Sequence, residues 1–282
     1  MSGHYRFRRS FGNVSSRFRG ATPKHFPLFT GLLDDFGGAA AAYSLRALSA
    51  NWVAGDVVEV RRSSDSTSQD FTASQITNGE LETFCGVGDG FVSIWYDQSG
   101  NANNATQGTT TAQPKIVDAG ALVVGGLDCD GVDDFFDLGD LALTQPNSVF
   151  FVHNSDNQGG GSDVLNDFLD HNGTGGRTLI DSSGGLYRAF AGASDASTKI
   201  IVAGADALVS TTINGASSEL ALNGSNETGL SVGTGGMGEM TLGKSLGGVY
   251  DGTFAEFIIY ATNQSANRVA IEANINAAYT IF

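Results

Sequence analysis

The stretch FVSIWYDQSGNANNATQ, residues 91–107, decides the fold class. It begins with apolar, β-branched and aromatic residues and runs into Asp, Gln, Ser, Gly and Asn, the pattern of a short strand that ends in a turn. Similar short segments recur along the chain, each bounded by Gly, Asn, Asp or Ser: VVEV (57–60), ALVV (121–124), VFFVH (149–153), KIIVA (199–203), LVSTTI (208–213), ELAL (219–222), MTL (240–242) and TFAEFIIY (253–260). We therefore predict an all-β fold of about ten strands.

Composition supports this fold class. The 282 residues include 39 glycines and only 16% charged residues, which suits short strands joined by tight turns. No fixed-period repeat or long linker interrupts the chain after residue 30. We therefore predict one large domain over residues 31–282, preceded by a short arm over residues 1–30.

Two segments predict helices within this β protein. The run AAAAYSLRALSA (39–50) has high helix propensity, which predicts a short helix there. Near the end of the chain, Ile271, Ile275 and Ala278 recur at helical spacing, and Ser265 is a candidate N-cap. These residues predict a closing helix that packs on the sheets.

Charge divides the chain sharply. Residues 1–30 hold six basic residues and no acid, whereas the rest holds nine basic and 30 acidic residues, a net charge of −21. Aromatic residues between the arginines favour a docking arm over a solvated start, although a disordered start is the alternative. The docking candidates are Arg6, Phe7, Arg8, Arg9, Phe11, Arg17, Phe18 and Arg19. Nucleic acid is not an expected partner, because the acidic body opposes approach to phosphates.

The sequence does not indicate a membrane protein, a secreted protein, a disulfide-rich protein or a zinc protein. No apolar run of about 18 residues predicts a membrane span, and the basic start lacks the apolar core of a signal peptide. Cys85 and Cys129 are too few for a disulfide framework, so buried thiols are expected, with their redox state open. The cysteines and histidines also lack zinc spacing.

Three segments, taken in order, resemble a known family. They are AAAAYSLRALS with VEVRRSSDSTSQDF (39–49, 58–71), FVSIWYDQSGNANNATQ with QPKIV (91–107, 113–117), and DCDGVDDFFDLGD (128–140). Together they are similar to the arabinofuranosidase-B-type catalytic domain, and more closely to a laminin-G/concanavalin-like module of phage virion proteins. The resemblance implies a concanavalin-like (laminin-G-like) jelly-roll β-sandwich, with the short helix near residues 39–50, the C-terminal helix and an extended N-terminal arm.

The polar residues of these segments suit a scaffold. Arg61, Arg62 and Asp65, and likewise Asp97, Asn101 and Asn103, predict structural polar corners that bond to nearby backbone. Trp95 and Tyr96 are candidates for stacking on a glycan ring. As neighbours on a strand they face opposite sides, so at most one can line a given groove.

The densest acidic cluster comprises Asp128, Asp130, Asp133, Asp134 and Asp137. Its Asp-x-Asp-Gly run is faintly similar to a calcium loop, but position 12 counted from Asp128 is Gly139 and not a glutamate. We therefore expect turn-forming aspartates and no metal or other cofactor. Calcium is the less favoured alternative.

Glycoside hydrolysis requires two carboxylates across a sugar-sized cleft. The resemblance to arabinofuranosidases implies a nucleophilic glutamate in a stretch that corresponds to residues 168–177, where this chain has Asp170 and no glutamate. No glutamate occurs anywhere between Glu82 and Glu219. The four histidines, among them His153 and His171, lack the pattern of a serine or cysteine hydrolase. On this evidence we predict no enzymatic activity and no catalytic residue.

The resulting hypothesis is a phage virion structural protein, a capsid decoration, tail fibre or tail-appendage module. Its arm would dock on other virion proteins, and its sandwich would be displayed outside, where it would contact host surface glycans in host attachment. A trimer is a plausible assembly, and synthesis in the host cytoplasm without a signal peptide is expected, with no membrane partner. The alternatives are a glycoside hydrolase or polysaccharide depolymerase on the same fold, and a free bacterial lectin.

Overall fold

The structure is a computed structural model that describes residues 29–156, 165–167, 176–181, 185–244 and 248–282; for 165–167, 176–181 and 194–196 only the backbone is described. Within these residues the chain forms strands β1 to β19. Their bounds are Ala39–Ser44, Asp56–Arg62, Ser68–Thr72, Gly90–Trp95, Ala105–Thr106, Lys115–Asp118, Ala121–Leu122, Leu127–Asp130, Phe136–Leu143, Asn147–Ser155, Leu165–Asp167, Gly176–Asp181, Leu186–Ala191, Ser194–Ile200, Asp206–Ile213, Ser218–Leu222, Ser225–Leu230, Met237–Leu242 and Asp251–Tyr260. Helices are short and few in this part of the chain: α1 to α4 cover Leu32–Asp35, Ala73–Thr77, Glu80–Cys85 and Arg268–Tyr279. The predicted all-β class is confirmed.

The strands form two antiparallel layers. The first layer has the order β17, β16, β15, β10, β19. The other edge of β19 pairs with β8 over the first residues of β19 and with β1 over its last residues. The second layer has the order β3, β2, β4, β5, β9, β18, β11, β12, β13, β14. These two layers make the predicted sandwich.

The two layers are joined at one corner. Strand β6 pairs with β4 of the second layer and also with β8, and β8 pairs with β19 of the first layer. The backbone hydrogen bonds therefore continue from one layer into the other through β6 and β8. This corner carries the clefts described below.

The main core lies between the layers. Phe151 and Phe257 stack in the first layer, with ring centroids 5.1 Å apart, and Trp95 and Phe136 pack together in the second at 6.1 Å. All four side chains are fully buried. Aromatic burial of this kind supplies much of the free energy that holds two sheets together.

The outer face of the first layer is covered by α4. Ile271 and Ile275 of α4 pack on Phe150, Ile258 and their neighbours, while Phe151 and Phe257 face the other way into the main core. The predicted C-terminal helix is therefore confirmed. Its details differ, because the N-cap is Asn267 rather than Ser265, and Ala278 is exposed.

The prediction of a short helix over residues 39–50 is wrong. Residues Ala39–Ser44 form β1, which pairs with β19, and only Ala50–Trp52 form a 3₁₀ turn. Strand β1 is buried on both faces, since Ala41 contacts the main core and Ala42 the layer beneath α4. A strand that is buried on both faces has a continuous apolar sequence rather than an alternating one. Here tertiary packing outweighs the helix propensity of alanine.

A buried ion pair fixes α4 and β1 to the first layer. The Glu256 carboxylate is fully buried and accepts hydrogen bonds from Arg46 Nε at 2.7 Å and Arg46 Nη2 at 2.9 Å. Ser44 Oγ at 2.9 Å and Tyr279 Oη at 3.1 Å donate to the same carboxylate. The charge is thus paired and hydrogen-bonded, which burial of a carboxylate requires.

The polar loop after β4 seals the free edge of β1. Asp97 Oδ1 accepts from the backbone N–H of Ala42 at 2.8 Å, and Asn103 Nδ2 donates to the carbonyl of Ala40 at 2.9 Å. Gln98 Oε1 accepts from Leu48 N at 2.8 Å. These side chains supply the bonds that a neighbouring strand would otherwise make. The structural role predicted for Asp97 and Asn103 is confirmed by these contacts.

No helix among the described residues is both long and apolar enough to cross a membrane. The predicted division at residue 30 stays a prediction, because residues 1–28 lie outside the described part of the chain.

Candidate functional site

Two adjoining clefts open at the corner formed by β6 and β8. The first, the carboxylate cleft, has a volume of about 440 Å³ and is lined by Phe91, Thr110, Thr111, Gln113, Lys115, Asp128, Asp130 and Asp134. The second, the neighbouring cleft, has a volume of about 430 Å³ and is lined by Lys115, Asp118, Ala121, Leu122, Val123, Val124, Asp128, Asn154, Asp156 and Thr253. Lys115 and Asp128 line both clefts, so the two clefts adjoin at these residues, and together they are called the groove.

A chain of side-chain hydrogen bonds holds one wall of the carboxylate cleft. Arg61 Nε donates to Gln113 Oε1 at 2.8 Å, and Arg61 Nη2 donates to the Thr110 carbonyl at 3.0 Å. Gln113 Nε2 in turn donates to the Gln107 carbonyl at 2.9 Å. The Arg61 guanidinium also lies 4.8 Å from the centre of the Phe91 ring, a cation–π distance. The wall is thus fixed before any ligand arrives.

Asp130 and Asp134 line the carboxylate cleft at the end of β8 and in the loop that follows, and Asp133 lies beside them. Asp130 Oδ1 accepts from the Val132 backbone N–H at 2.8 Å, and Asp134 Oδ2 accepts from the Asp130 N–H at 3.1 Å. Carboxylate oxygens of Asp130, Asp133 and Asp134 lie within 4.8 Å of one another. The turn-forming role predicted for Asp130 and Asp134 is confirmed by these hydrogen bonds. The expectation that they bind no calcium stays a prediction.

Two carboxyl groups of the groove, those of Asp134 and Asp128, have raised pKa values. Burial is the main cause that raises the pKa of Asp134 to about 7; the hydrogen bond from the Asp130 N–H opposes it, and the nearby charges of Asp130, Asp133 and Asp128 add to it. Burial also raises the pKa of Asp128, although Lys115 opposes this. The Asp134 carboxyl is therefore protonated in mildly acidic solution and about half protonated near pH 7, and the exposed Asp130 lies beside it. A protonated carboxylic acid beside a second carboxyl group is the arrangement that acid–base catalysis uses.

A buried network of rings and hydroxyls lies behind the neighbouring cleft. His153 Nδ1 lies 2.8 Å from Tyr250 Oη, and His153 Nε2 lies 2.9 Å from Tyr187 Oη. Tyr250 donates its proton to the Asn154 carbonyl at 3.0 Å, so Nδ1 of His153 carries the ring proton and Nε2 accepts from Tyr187. Burial lowers the pKa of His153 to about 3, so the ring stays neutral. This network fixes the backbone of Asn154 at the cleft.

The residues predicted for glycan stacking lie elsewhere. Trp95 is fully buried between Tyr43 and Phe136, so its ring is excluded from contact with a glycan. Tyr96 is half-buried, and its hydroxyl donates to Asp70 Oδ1 at 2.7 Å. A glycan contact of Tyr96 stays a prediction.

Two groups of sequence predictions remain, one outside the described residues and one at a polar corner. The basic arm, Asp170 and His171 lie outside the described residues. Arg62 and Asp65 form an exposed pair at 2.6 Å, the polar corner that was predicted.

The groove also contains residues that sequence reasoning did not single out. Lys115, Gln113 and Asn154 stand in ordinary strand or loop contexts, and nothing in their sequence spacing relates them to Asp134. A signal did exist for two of them, because QPKIV (113–117) is part of the resemblance described above. The sequence around Asn154 and Asp156 contained no such signal.

Comparison with known protein families gives one match, within the first half of the chain. The family model of the alpha-L-arabinofuranosidase B catalytic domain matches residues 36–124, which is less than half of the chain. That segment includes Arg61, Phe91, Gln113 and Lys115 of the groove. No curated protein sequence matches the chain significantly.

Solved structures show the same fold. An arabinofuranosidase complexed with arabinofuranosyl-alpha-1,2-xylobiose is similar at a TM-score of 0.62 and 16% identity, over 85% of this chain and 62% of that one. A mutant GH54 α-L-arabinofuranosidase soaked with 4-nitrophenyl α-L-arabinofuranoside gives 0.63 and 16%, over 85% and 63%. The chain thus spans about 62% to 63% of the length of these structures. At such identities the likeness shows the β-sandwich fold alone.

These findings correct two predictions. The hypothesis of a virion structural protein without enzymatic activity is contradicted, because the family match is to a catalytic domain. The resemblance to the arabinofuranosidase B domain is confirmed over residues 36–124, and nothing in the comparisons supports a phage origin.

Proposed function

We propose that this chain is a glycoside hydrolase that cleaves arabinofuranosidic bonds in glycans. The observation that carries the proposal is the position of the family match. Residues 36–124 match an arabinofuranosidase catalytic domain and also supply one wall of the carboxylate cleft, through Phe91, Gln113 and Lys115. The facing wall offers the carboxyl pair that glycoside hydrolysis needs.

In this proposal Asp134 is the general acid and Asp130 is its partner carboxylate. Asp134 holds a proton near neutral pH and can give it to the leaving glycosidic oxygen. Carboxylate oxygens of the two residues lie within 4.8 Å. That spacing resembles the roughly 5 to 5.5 Å of retaining glycosidases more than the roughly 6.5 Å or more of inverting ones. The proposal therefore includes retention of the anomeric configuration.

The assignment of Asp134 and Asp130 departs from what the family resemblance implies. The stretch that corresponds to the nucleophile-bearing region of arabinofuranosidases, residues 168–177, contains Asp170 and no glutamate. We propose that the catalytic carboxylates of this chain differ from those of the family, so that aspartates of the groove take their place. Asp170 is the competing candidate within the sequence.

The test uses the full chain and the substrate 4-nitrophenyl α-L-arabinofuranoside, with arabinan as a natural polymer. We expect release of 4-nitrophenol and of new reducing ends, and a loss of at least one hundredfold in kcat for Asp134→Asn. Asp137→Asn is a matched control, since Asp137 is exposed and outside the cleft. If neither substrate is cleaved at any pH from 4 to 8, the proposed function is wrong. If Asp170→Asn abolishes cleavage while Asp134→Asn does not, the activity stands and the residue assignment is wrong.

A further inference from the structure

We propose that Phe91 is the platform on which the sugar ring of the substrate stacks in the carboxylate cleft, and that Arg61 positions the Phe91 ring from behind. This inference rests on the proposed function, which places hydrolysis in that cleft. It adds a substrate-binding residue and a positioning residue to the proposed site. The stacking role thereby goes to an aromatic residue other than Trp95 and Tyr96.

Phe91 lies on the outer face of the second layer. Its neighbour Val92 is fully buried in the main core, and successive side chains of a strand point to opposite faces. Within the described part of the chain, the half-buried apolar residues that pack on the main core or on the cluster beneath α4 do not include Phe91. The Phe91 ring instead lines the carboxylate cleft. An aromatic ring in this position serves a ligand rather than the core.

Arg61 covers one side of the Phe91 ring. The two residues are partners across β2 and β4, and the guanidinium lies 4.8 Å from the ring centre. Arg61 Nε and Nη2 donate to Gln113 Oε1 and to the Thr110 carbonyl, which fixes the plane of the guanidinium. Phe91, Gln113 and Thr110 line the cleft, whereas Arg61 stands behind these lining residues. The ring surface that lines the cleft is therefore the one that meets a sugar.

The chemistry of a sugar ring fits this surface. A furanose ring carries C–H groups as well as hydroxyls, so it places C–H groups on an aromatic ring while its hydroxyls bond to polar neighbours. Phe91 shares the cleft with the side chains of Thr110 and Thr111 and with the carboxyl groups of Asp130 and Asp134. A ring stacked on Phe91 is thus held in the same cleft as the two carboxyl groups that the proposed hydrolysis uses.

The first experiment compares the full-length wild type, Phe91→Leu and Phe91→Tyr, with 4-nitrophenyl α-L-arabinofuranoside as the substrate. Leucine keeps an apolar side chain but lacks the flat ring, so we expect KM to rise about tenfold while kcat changes by less than about twofold. Tyrosine keeps the ring, so its KM should stay within about threefold of the wild-type value.

Phe84→Leu is the matched control for the loss of a ring. Phe84 is also half-buried, and the Arg62 guanidinium likewise lies 4.8 Å from its ring centre, but Phe84 is not among the residues that line the carboxylate cleft. Its replacement should leave KM unchanged. A KM that rises equally in Phe84→Leu and Phe91→Leu would overturn the inference, because the effect would then come from the loss of a cation–π pair in the scaffold.

Binding of methyl α-L-arabinofuranoside separates the sugar ring from the nitrophenyl ring. NMR titration of full-length Asp134→Asn and Asp134→Asn/Phe91→Leu should show about tenfold weaker binding when Phe91 is replaced. Equal binding would overturn the inference, because any change in KM would then belong to the nitrophenyl group. If the methyl glycoside binds through Phe91 and the wild type cleaves no substrate, only the proposed hydrolysis fails. If the wild type cleaves and Phe91→Leu has an unchanged KM, only the inference fails.

The positioning role of Arg61 has its own test. Arg61→Lys keeps the positive charge but loses the paired contacts of the guanidinium. If Arg61 acts through the Phe91 ring, KM should rise about threefold in Arg61→Lys, and no further in Arg61→Lys/Phe91→Leu than in Phe91→Leu alone. Additive effects of the two changes on KM would overturn the positioning role.

Discussion

Asp134→Asn tests the chemistry of the groove most directly, because it should reduce activity and raise stability at the same time. Asparagine keeps an oxygen that can accept the hydrogen bond from the Asp130 N–H, now 3.1 Å long. It cannot donate a proton to a leaving group, and it cannot become charged. A residue with only a structural role would lose stability when it is changed.

The magnitude follows from the raised pKa. The pKa of Asp134 rises from its ordinary 3.8 to about 7, mainly through burial. Below about pH 4 the carboxyl group is protonated in both the folded and the unfolded chain. Between pH 4 and 7 only the unfolded chain ionises, so stability falls as pH rises. The full pKa shift of Asp134 would lower the free energy of unfolding of the wild type by roughly 4 kcal/mol above pH 7. Because the side chain lines an open cleft, where water screens its charge, we expect about half, ~2 kcal/mol.

The assay is urea unfolding of the wild type and Asp134→Asn at pH 4, 5, 6, 7 and 8, with kcat measured alongside. The variant should equal the wild type at pH 4, gain stability up to pH 7 and keep that gain at pH 8. Asp137→Asn is the control, since its exposed side chain accepts only the Gly139 N–H at 2.8 Å. A stability difference that does not change between pH 4 and 8, or a variant with full activity, would refute the reasoning.

Three other predictions concern the scaffold. Arg46→Met should lower the free energy of unfolding by about 3 to 5 kcal/mol, because it leaves the buried Glu256 carboxylate without its cation; urea unfolding checks this, and partial recovery in Arg46→Met/Glu256→Met is expected. Gly126→Ala should yield little folded protein by circular dichroism, because a Cβ there would lie 2.1 Å from the Phe254 carbonyl oxygen at a φ of +122°. Removing residues 1–30 should leave a folded domain with an unchanged melting temperature, and a truncated chain that aggregates at neutral pH would contradict this.

Local sequence patterns predicted the strands that alternate or are bounded by turn residues. FVSIW (91–95) lies in β4, and TFAEFIIY forms nearly all of β19. The helix of residues 73–77 could also have been found, since Thr72 and Gln75 form a capping box that is readable in the sequence. The strand formed by the alanine run could not be predicted from local sequence. The helix propensity of alanine is intrinsic, whereas the burial of this strand on both faces depends on β19 and α4.

The fold class, the closing helix, the split of charge and the structural role of the loop from Asp97 to Asn103 could be predicted from local sequence. These features depend on residues that are close together in the chain, where propensity, turn chemistry and periodicity act. The grouping of polar residues into one site became visible only in the folded chain. The corner of β6 and β8 brings Gln113 and Lys115 to the same cleft as Asp134, and Lys115 to the same cleft as Asn154, although the residues of these pairs lie up to 39 positions apart in the chain. Strand pairing over such separations, and the burial that raises the pKa of Asp134, depend on contacts that no local pattern encodes.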